Sequence, residues 1–300
     1  DLAREFGHPR AQAAALHGLA MAIYLARGQF DLSLAAEREV QSIAHEQGQP
    51  GWLVYPLVGE ALACQVSGRR AEAREALAKL ERHASPGSIV QGYHLCIGAA
   101  LALDEGELLI AQALYFQARS IAEASGEPWL NVAVRLGMSR LQRLAGNAAS
   151  AHSWAEDALA FATRVGYRQG QGCARVERAR AAWMCGDKAV AEADLRAAIE
   201  ILEKIGAAFD LVRARFLLTV LLYEQGRPEA AVAWPEAAQA ILTGGYAFFL
   251  DQERQLAYPL LAAFLNHPDA ALAEISQRLV EHLQRLPPPP LRVITLGRLE

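Results

Sequence analysis

Only four cysteines occur in the 300 residues, Cys64, Cys96, Cys173 and Cys185. None forms a CxxC pair and none stands at metal-ligand spacing from a histidine, which argues against both a zinc site and a disulfide scaffold. They lie in apolar stretches, where a free Cys behaves as a small hydrophobe, and a reducing, cytoplasmic setting is expected. No run of about 18 apolar residues escapes charges and turns, so no membrane span is expected. No secretory signal is expected either, because the sequence opens with Asp1, Arg4 and Glu5. Formal net charge is −4, without the basic surplus of a phosphate-backbone binder, so residues 1–285 are not expected to bind nucleic acid directly.

Catalytic signatures are equally scarce. There is no GxxxxGK[ST], HExxH or GxSxG. The stretch Gly166-Tyr-Arg-Gln-Gly-Gln-Gly172 is glycine-rich but reads as a turn between helices. The eight histidines are scattered, and His94 and Cys96, two residues apart, would not share a helix face. Carboxylates such as Glu72, Glu75, Glu156, Asp157, Glu192 and Asp194 read as solvated helix faces. The chain is therefore expected not to be an enzyme and to need no cofactor or metal.

Abundance lies elsewhere. Apolar residues make up 53% of the chain, much of it Ala, the best helix former and one that lets helix axes approach. Glycines recur on a fixed ruler: Gly28, Gly68, Gly106, Gly146, Gly186 and Gly226, with Asn266-His267-Pro268-Asp269 supplying a seventh turn one period later. A second series, Gly7, Gly48, Gly87, Gly126, Gly166, Gly206 and Gly245, interleaves with the first. Two turn series separated by helix-length segments predict paired helices, A then B, repeated about seven times with a period near 40 residues. The expected A/B boundaries are 9–27/31–47, 52–67/70–84, 89–105/108–125, 128–145/148–165, 168–185/188–205, 208–225/228–243 and 247–266/269–285.

The positions around the first glycine series support this register. Five residues after each stand Ser33, Ala73, Ala111, Ala151, Ala191 and Ala231. Seven before stand Met21, Ala61, Ala99, Ser139, Ala179 and Thr219. The first set is small throughout and the second in five of six, which lets helices A and B of one repeat approach closely. Twelve after stand Val40, Leu80, Ala118, Ala158, Ala198 and Ala238, all apolar, where the next repeat should pack. Pro235 and Pro259 fall inside predicted helices, so the last two repeats should be the least regular.

Ala-Gly-Asn-Ala-Ala-Ser-Ala (145–151) and Cys-Gly-Asp-Lys-Ala-Val-Ala (185–191) resemble tetratricopeptide (TPR) turns. With a period of 40, and with helix endings such as Ser-Ile-Ala-Glu-Ala-Ser-Gly (120–126) and Ala-Phe-Ala-Thr-Arg-Val-Gly (160–166), residues 1–285 look like the longer TPR-like repeats of MalT-type bacterial transcriptional activators. The resemblance implies an all-α, right-handed superhelical solenoid. Residues 286–290 read as a Pro-rich linker. Residues 291–300, Leu-Arg-Val-Ile-Thr-Leu-Gly-Arg-Leu-Glu, resemble the opening strand of the winged-helix DNA-binding region of SARP/BTAD-type activators. Both ends thus read as those of a piece of a longer protein, with a nucleotide-binding module expected upstream and DNA binding expected through a domain after Glu300.

If the TPR register carries over, the A helices line a concave groove. Its inward positions select Tyr55, Gln65, Tyr93 and Asp104 in repeats 2 and 3, and Arg140, Arg143, Arg180, Trp183, Arg213, Phe216 and Tyr223 in repeats 4 to 6. Arg and aromatic side chains anchor recognition sites, through forked bonds to carboxylate or phosphate and through stacking. The expected function is a non-catalytic sensor domain of a bacterial transcriptional regulator, holding a small-molecule effector or a protein segment in the groove. The alternative is a stand-alone adaptor that binds a peptide or helix of a partner protein. Apolar faces at the repeat ends are expected to support self-association.

Overall fold

Among the residues of known placement, 7–285 in this computed structural model, every regular element is helical. The linker at 286–290, the strand expected at 291–300 and residues 1–6 lie outside the described residues.

The helices are α1 (Pro9–Leu19), running on into a π-helical turn (Ala20–Leu25), α2 (Phe30–Glu46), α3 (Val54–Val66) after a 3-10 turn (Pro50–Leu53), α4 (Arg70–Glu81), α5 (Ile89–Glu105), α6 (Leu108–Ser125) and α7 (Pro128–Leu144). There follow α8 (Ala148–Arg164), α9 (Arg168–Met184), α10 (Lys188–Ile205), α11 (Ala208–Glu224), α12 (Glu229–Gly244), α13 (Phe248–Gln252), α14 (Arg254–Leu265) and α15 (Ala270–Gln284). Each packs chiefly on its chain neighbours, as a solenoid of A/B pairs requires.

Local chemistry accounts for the punctuation. All thirteen glycines of the two series have positive φ, and among the described residues no other residue type does. Helix starts are secured by Pro128 at the first turn of α7 and by side-chain caps from Ser88, Glu127, Asp187 and Asp269.

The packing positions behave as their spacing implies. Ser33, Ala73, Ala111, Ala151 and Ala191 are wholly buried, as are Ala61, Ala99, Ser139, Ala179 and Thr219. The approach within a pair is close enough for Ser33 Oγ to donate to the Ala20 carbonyl at 3.1 Å and Ser139 Oγ to that of Ala151 at 2.8 Å. Leu80, Ala118, Ala158, Ala198 and Ala238 are fully buried between successive repeats. In repeat 6 the register slips by one, and Ala230 is buried in place of Ala231. Pro228 lies just before the first turn of α12, whose opening bonds are of the tighter i→i−3 kind.

The two internal prolines act differently. Pro235 is accommodated inside an unbroken α12. Helix A7, which contains Pro259, is split into α13 and α14 at Glu253. Cys185 departs from the expected pattern: it is exposed at a turn, whereas Cys64 and Cys96 are buried.

Candidate functional site

The stack curves back on itself. Phe30, at the A1–B1 turn, packs edge-on against Phe209 of α11 at 5.2 Å between ring centroids, and against Tyr246 and Phe248 at 5.9 and 6.2 Å. The Tyr246 hydroxyl donates to the Gly28 carbonyl at 3.2 Å, joining residues 218 positions apart. Repeat 1 is thereby clasped to repeats 6 and 7, and the A helices surround a closed channel.

Two chambers occupy that channel. The first, about 280 Å³, lies toward the starts of the A helices. Its apolar wall includes Phe30, Leu62, Ile97, Trp129, Leu136 and Phe209. The second, about 910 Å³, opens at their ends, beside Gly106, Leu144, Trp183, Met184 and Arg254. Asp104, Arg140, Gln252 and Glu253 line both chambers and form the partition between them.

Charge is concentrated at this partition. Gln65 Nε2 donates to Asp104 at 2.9 Å, and Arg140 donates to the other Asp104 oxygen at 2.7 Å. Arg180 grips Glu253 with both terminal nitrogens, the Nη2–Oε2 bond measuring 2.6 Å. Arg143 reaches Glu177 through Nε at a long 3.4 Å. Arg213 lies over the Phe209 ring, 5.8 Å from its centroid.

Burial alone would raise the Glu253 and Glu177 carboxyls, but the surrounding guanidiniums outweigh it. Arg180, Arg143 and Arg213 hold both acids below the usual carboxylate range. Burial works against the Arg140 charge, yet Asp104, Glu253 and Glu177 raise its pKa. Arg143 is the exception: burial and the neighbouring Arg180 charge push it down to about 10.

Of the residues selected from sequence, Gln65, Asp104, Arg140, Arg143, Arg180, Trp183 and Arg213 are brought together on the channel. Trp183 also donates through Nε1 to Glu224 at 3.0 Å. The other four stand apart. Phe216 is wholly buried and packs edge-on against Phe249 at 5.2 Å, a core position rather than a channel wall. Tyr55 is 53% exposed beside His17. Tyr93 packs against Trp129 at 5.6 Å in the core between repeats 2 and 4. Tyr223 leans on Phe264 at the outer end of α11. These four are at positions where the TPR register predicts inward-facing side chains, yet other residues of the same helices, Ile97 and Ala100 on α5 and Phe209 and Arg213 on α11, line the channel in their place.

Sequence reasoning missed Trp129, Gln169, Asp210 and Glu253. Extending the inward register by one more helical turn would have selected Trp129, Gln169 and Phe209. Glu253 stands thirteen residues before Asn266, the seventh-turn counterpart of Gly226, and so occupies the same register as Arg213.

Among the described residues no cluster of His, Cys, Asp and Glu is arranged to hold a metal ion, and no helix is long and apolar enough to cross a membrane. No family model matches the chain, and no curated protein does. Solved structures do. The fold is similar to that of Rap protein complexed with competence and sporulation factor, with a TM-score of 0.54 at 13% identity, over 93% of this chain and 92% of that one. BtubC (BKLC) from P. vanneervenii aligns at a TM-score of 0.48 and 17% identity, over 78% of this chain and 97% of that one. The chain is a TPR-like helical-repeat solenoid.

Proposed function

We propose that this chain is a non-catalytic binding module that holds a small molecule or a short protein segment in the channel formed by its A helices. The observation that carries this reading is the channel itself: an apolar chamber adjoining a larger one, with convergent buried Arg and carboxylate side chains between them. The similar fold of Rap, solved with competence and sporulation factor bound, supports a binding role. The repeat period near 40 and the terminal 291–300 motif support a place in a bacterial transcriptional regulator, acting in the cytoplasm as its sensor.

Removing Arg180 is a poor test, because an unpaired Glu253 would itself cost about 3–5 kcal/mol. Ala100 lines the first chamber without bearing a charge, so Ala100→Trp blocks the space and leaves the ion pairs intact. A thermal-shift screen of short peptides and small metabolites should give hits that raise the Tm of the wild type and not that of Ala100→Trp. Hits that stabilise both proteins equally would place the ligand outside the channel.

A further inference from the structure

Glu253 is the feature that the binding reading leaves unexplained. It sits at the break between α13 and α14, with φ −102° and ψ 28°, and its carboxylate projects into the middle of the channel. A continuous A7 helix would have followed the six repeats before it. The break instead delivers an acid from the last repeat to Arg180, 73 residues earlier in the chain.

The seat holds more cationic capacity than Glu253 uses. Arg180 supplies two donors, but Arg143, Arg180 and Arg213 all act on this carboxylate. Among the described residues Arg143 is held by one long bond to Glu177, and Arg213 by its contact with Phe209. Guanidinium forks at such a distance from saturation are matched by a planar, two-oxygen anion.

The charges also balance only with an acid in place. Arg140, Arg143, Arg180 and Arg213 face Asp104, Glu177, Asp210 and Glu253 in and beside the partition. Withdrawal of Glu253 leaves one positive charge over, and another carboxylate in its seat restores neutrality. The exchange requires little movement of the backbone. Phe249 and Leu250 before the break, and Ala257 and Leu260 after it, stay anchored in the core, while the Glu253 side chain can turn toward the larger chamber.

Resting on the reading of the channel as a binding site, we propose that the seat formed by Arg143, Arg180 and Arg213 is a carboxylate receptor, that Glu253 is its built-in competitor, and that the ligand is an apolar body ending in a carboxylate. Its carboxylate replaces Glu253 on Arg180. Its apolar portion fills the chamber walled by Phe30, Leu62, Ile97, Leu136 and Phe209. The partition between the two chambers opens in the process. The anion can come from a small carboxylic acid or from the C-terminus of a peptide.

The test is fluorescence titration of the full chain with two matched probe pairs. One pair is 11-(dansylamino)undecanoic acid and its methyl ester. The other is a dansylated leucine-rich hexapeptide with a free or an amidated C-terminus. Glu253→Gln keeps the side-chain shape and removes the competing charge, and should bind the free acids about tenfold or more tightly than the wild type. The ester and the amide should change by less than about twofold, since they gain nothing from a vacated Arg seat. Glu253→Asp, whose retracted carboxylate competes less well, should fall between, and it decides the matter if circular dichroism shows Glu253→Gln to have lost helicity. A gain confined to one probe pair identifies the small acid or the peptide terminus as the source. Equal affinity for acid and ester in every protein would overturn the receptor while leaving the channel reading intact. Binding of no probe to any protein would defeat both.

Discussion

A glycine in a turn can be required by its backbone angle alone or also by what approaches it, and this molecule contains both cases. Gly146 has φ +83° with open space where a Cβ would stand. Gly28 has φ +72°, and a Cβ there would collide with the Tyr246 hydroxyl that bonds its carbonyl. Gly146→Ala should therefore cost only the left-handed penalty, about 1–2 kcal/mol. Gly28→Ala adds overpacking at the clasp and should cost about 2–5 kcal/mol in all. Urea unfolding of the two variants separates them; equal losses would mean that the clasp contact does not matter to stability. The sequence places both glycines in the same series and has no means of distinguishing them, because the partner of Gly28 lies more than 200 residues away.

Helix A7 is the element with the most to disclose. Its interior proline, Pro259, marks it as irregular in the sequence, and a proline removes one backbone donor and crowds the preceding turn. The place of the break, and the acid it delivers to the arginines, depend on packing against repeat 6 and on the ion pair with Arg180 of repeat 5. The pH response of this element follows from that acid. The folded pKa of Glu253 is depressed below its ordinary value, so the stability it contributes is present above about pH 4.5 and is lost as pH falls toward the folded value. Glu177 acts in the same direction. Glu37, buried against His17 in the first repeats, has a raised pKa that burial dominates, and acidification does not remove its contribution. Hydrogen exchange at pH 3 and pH 7 should show α13 and α14 losing protection before α1 and α2. Uniform loss along the chain would contradict a special role for the partition.

An open solenoid transmits stability only between neighbouring repeats. Here the aromatic clasp of Phe30 with Phe209, Tyr246 and Phe248 adds a contact between the two ends. Closing such a long loop has an entropic cost, which buried aromatic area must offset. Phe30→Ala should cost about 3–5 kcal/mol of clasp packing, and it should also broaden the urea transition and increase the radius of gyration in small-angle scattering. A destabilised variant with unchanged dimensions would show that the curvature is set within each repeat and not by the clasp. The closed form also gives the channel its walls, since Phe30 and Phe209 belong to opposite ends of the stack and line the same chamber.

The glycine ruler, the small residues five after and seven before each turn, and the apolar residues twelve after were enough to determine the helix pairs, their register and the solenoid. Each of these is settled within about 40 residues by the left-handed turn that glycine allows and by how closely two helix axes can approach. The inward register also located the arginines of the central repeats. The closure of the ring, the burial of Phe216, the packing of Tyr93 against Trp129, the outward placement of Tyr55 and Tyr223, and the seating of Glu253 on Arg180 were decided only by the tertiary structure. They depend on the small rotation between successive repeats summed over seven of them, a quantity to which no single repeat's sequence pattern is sensitive.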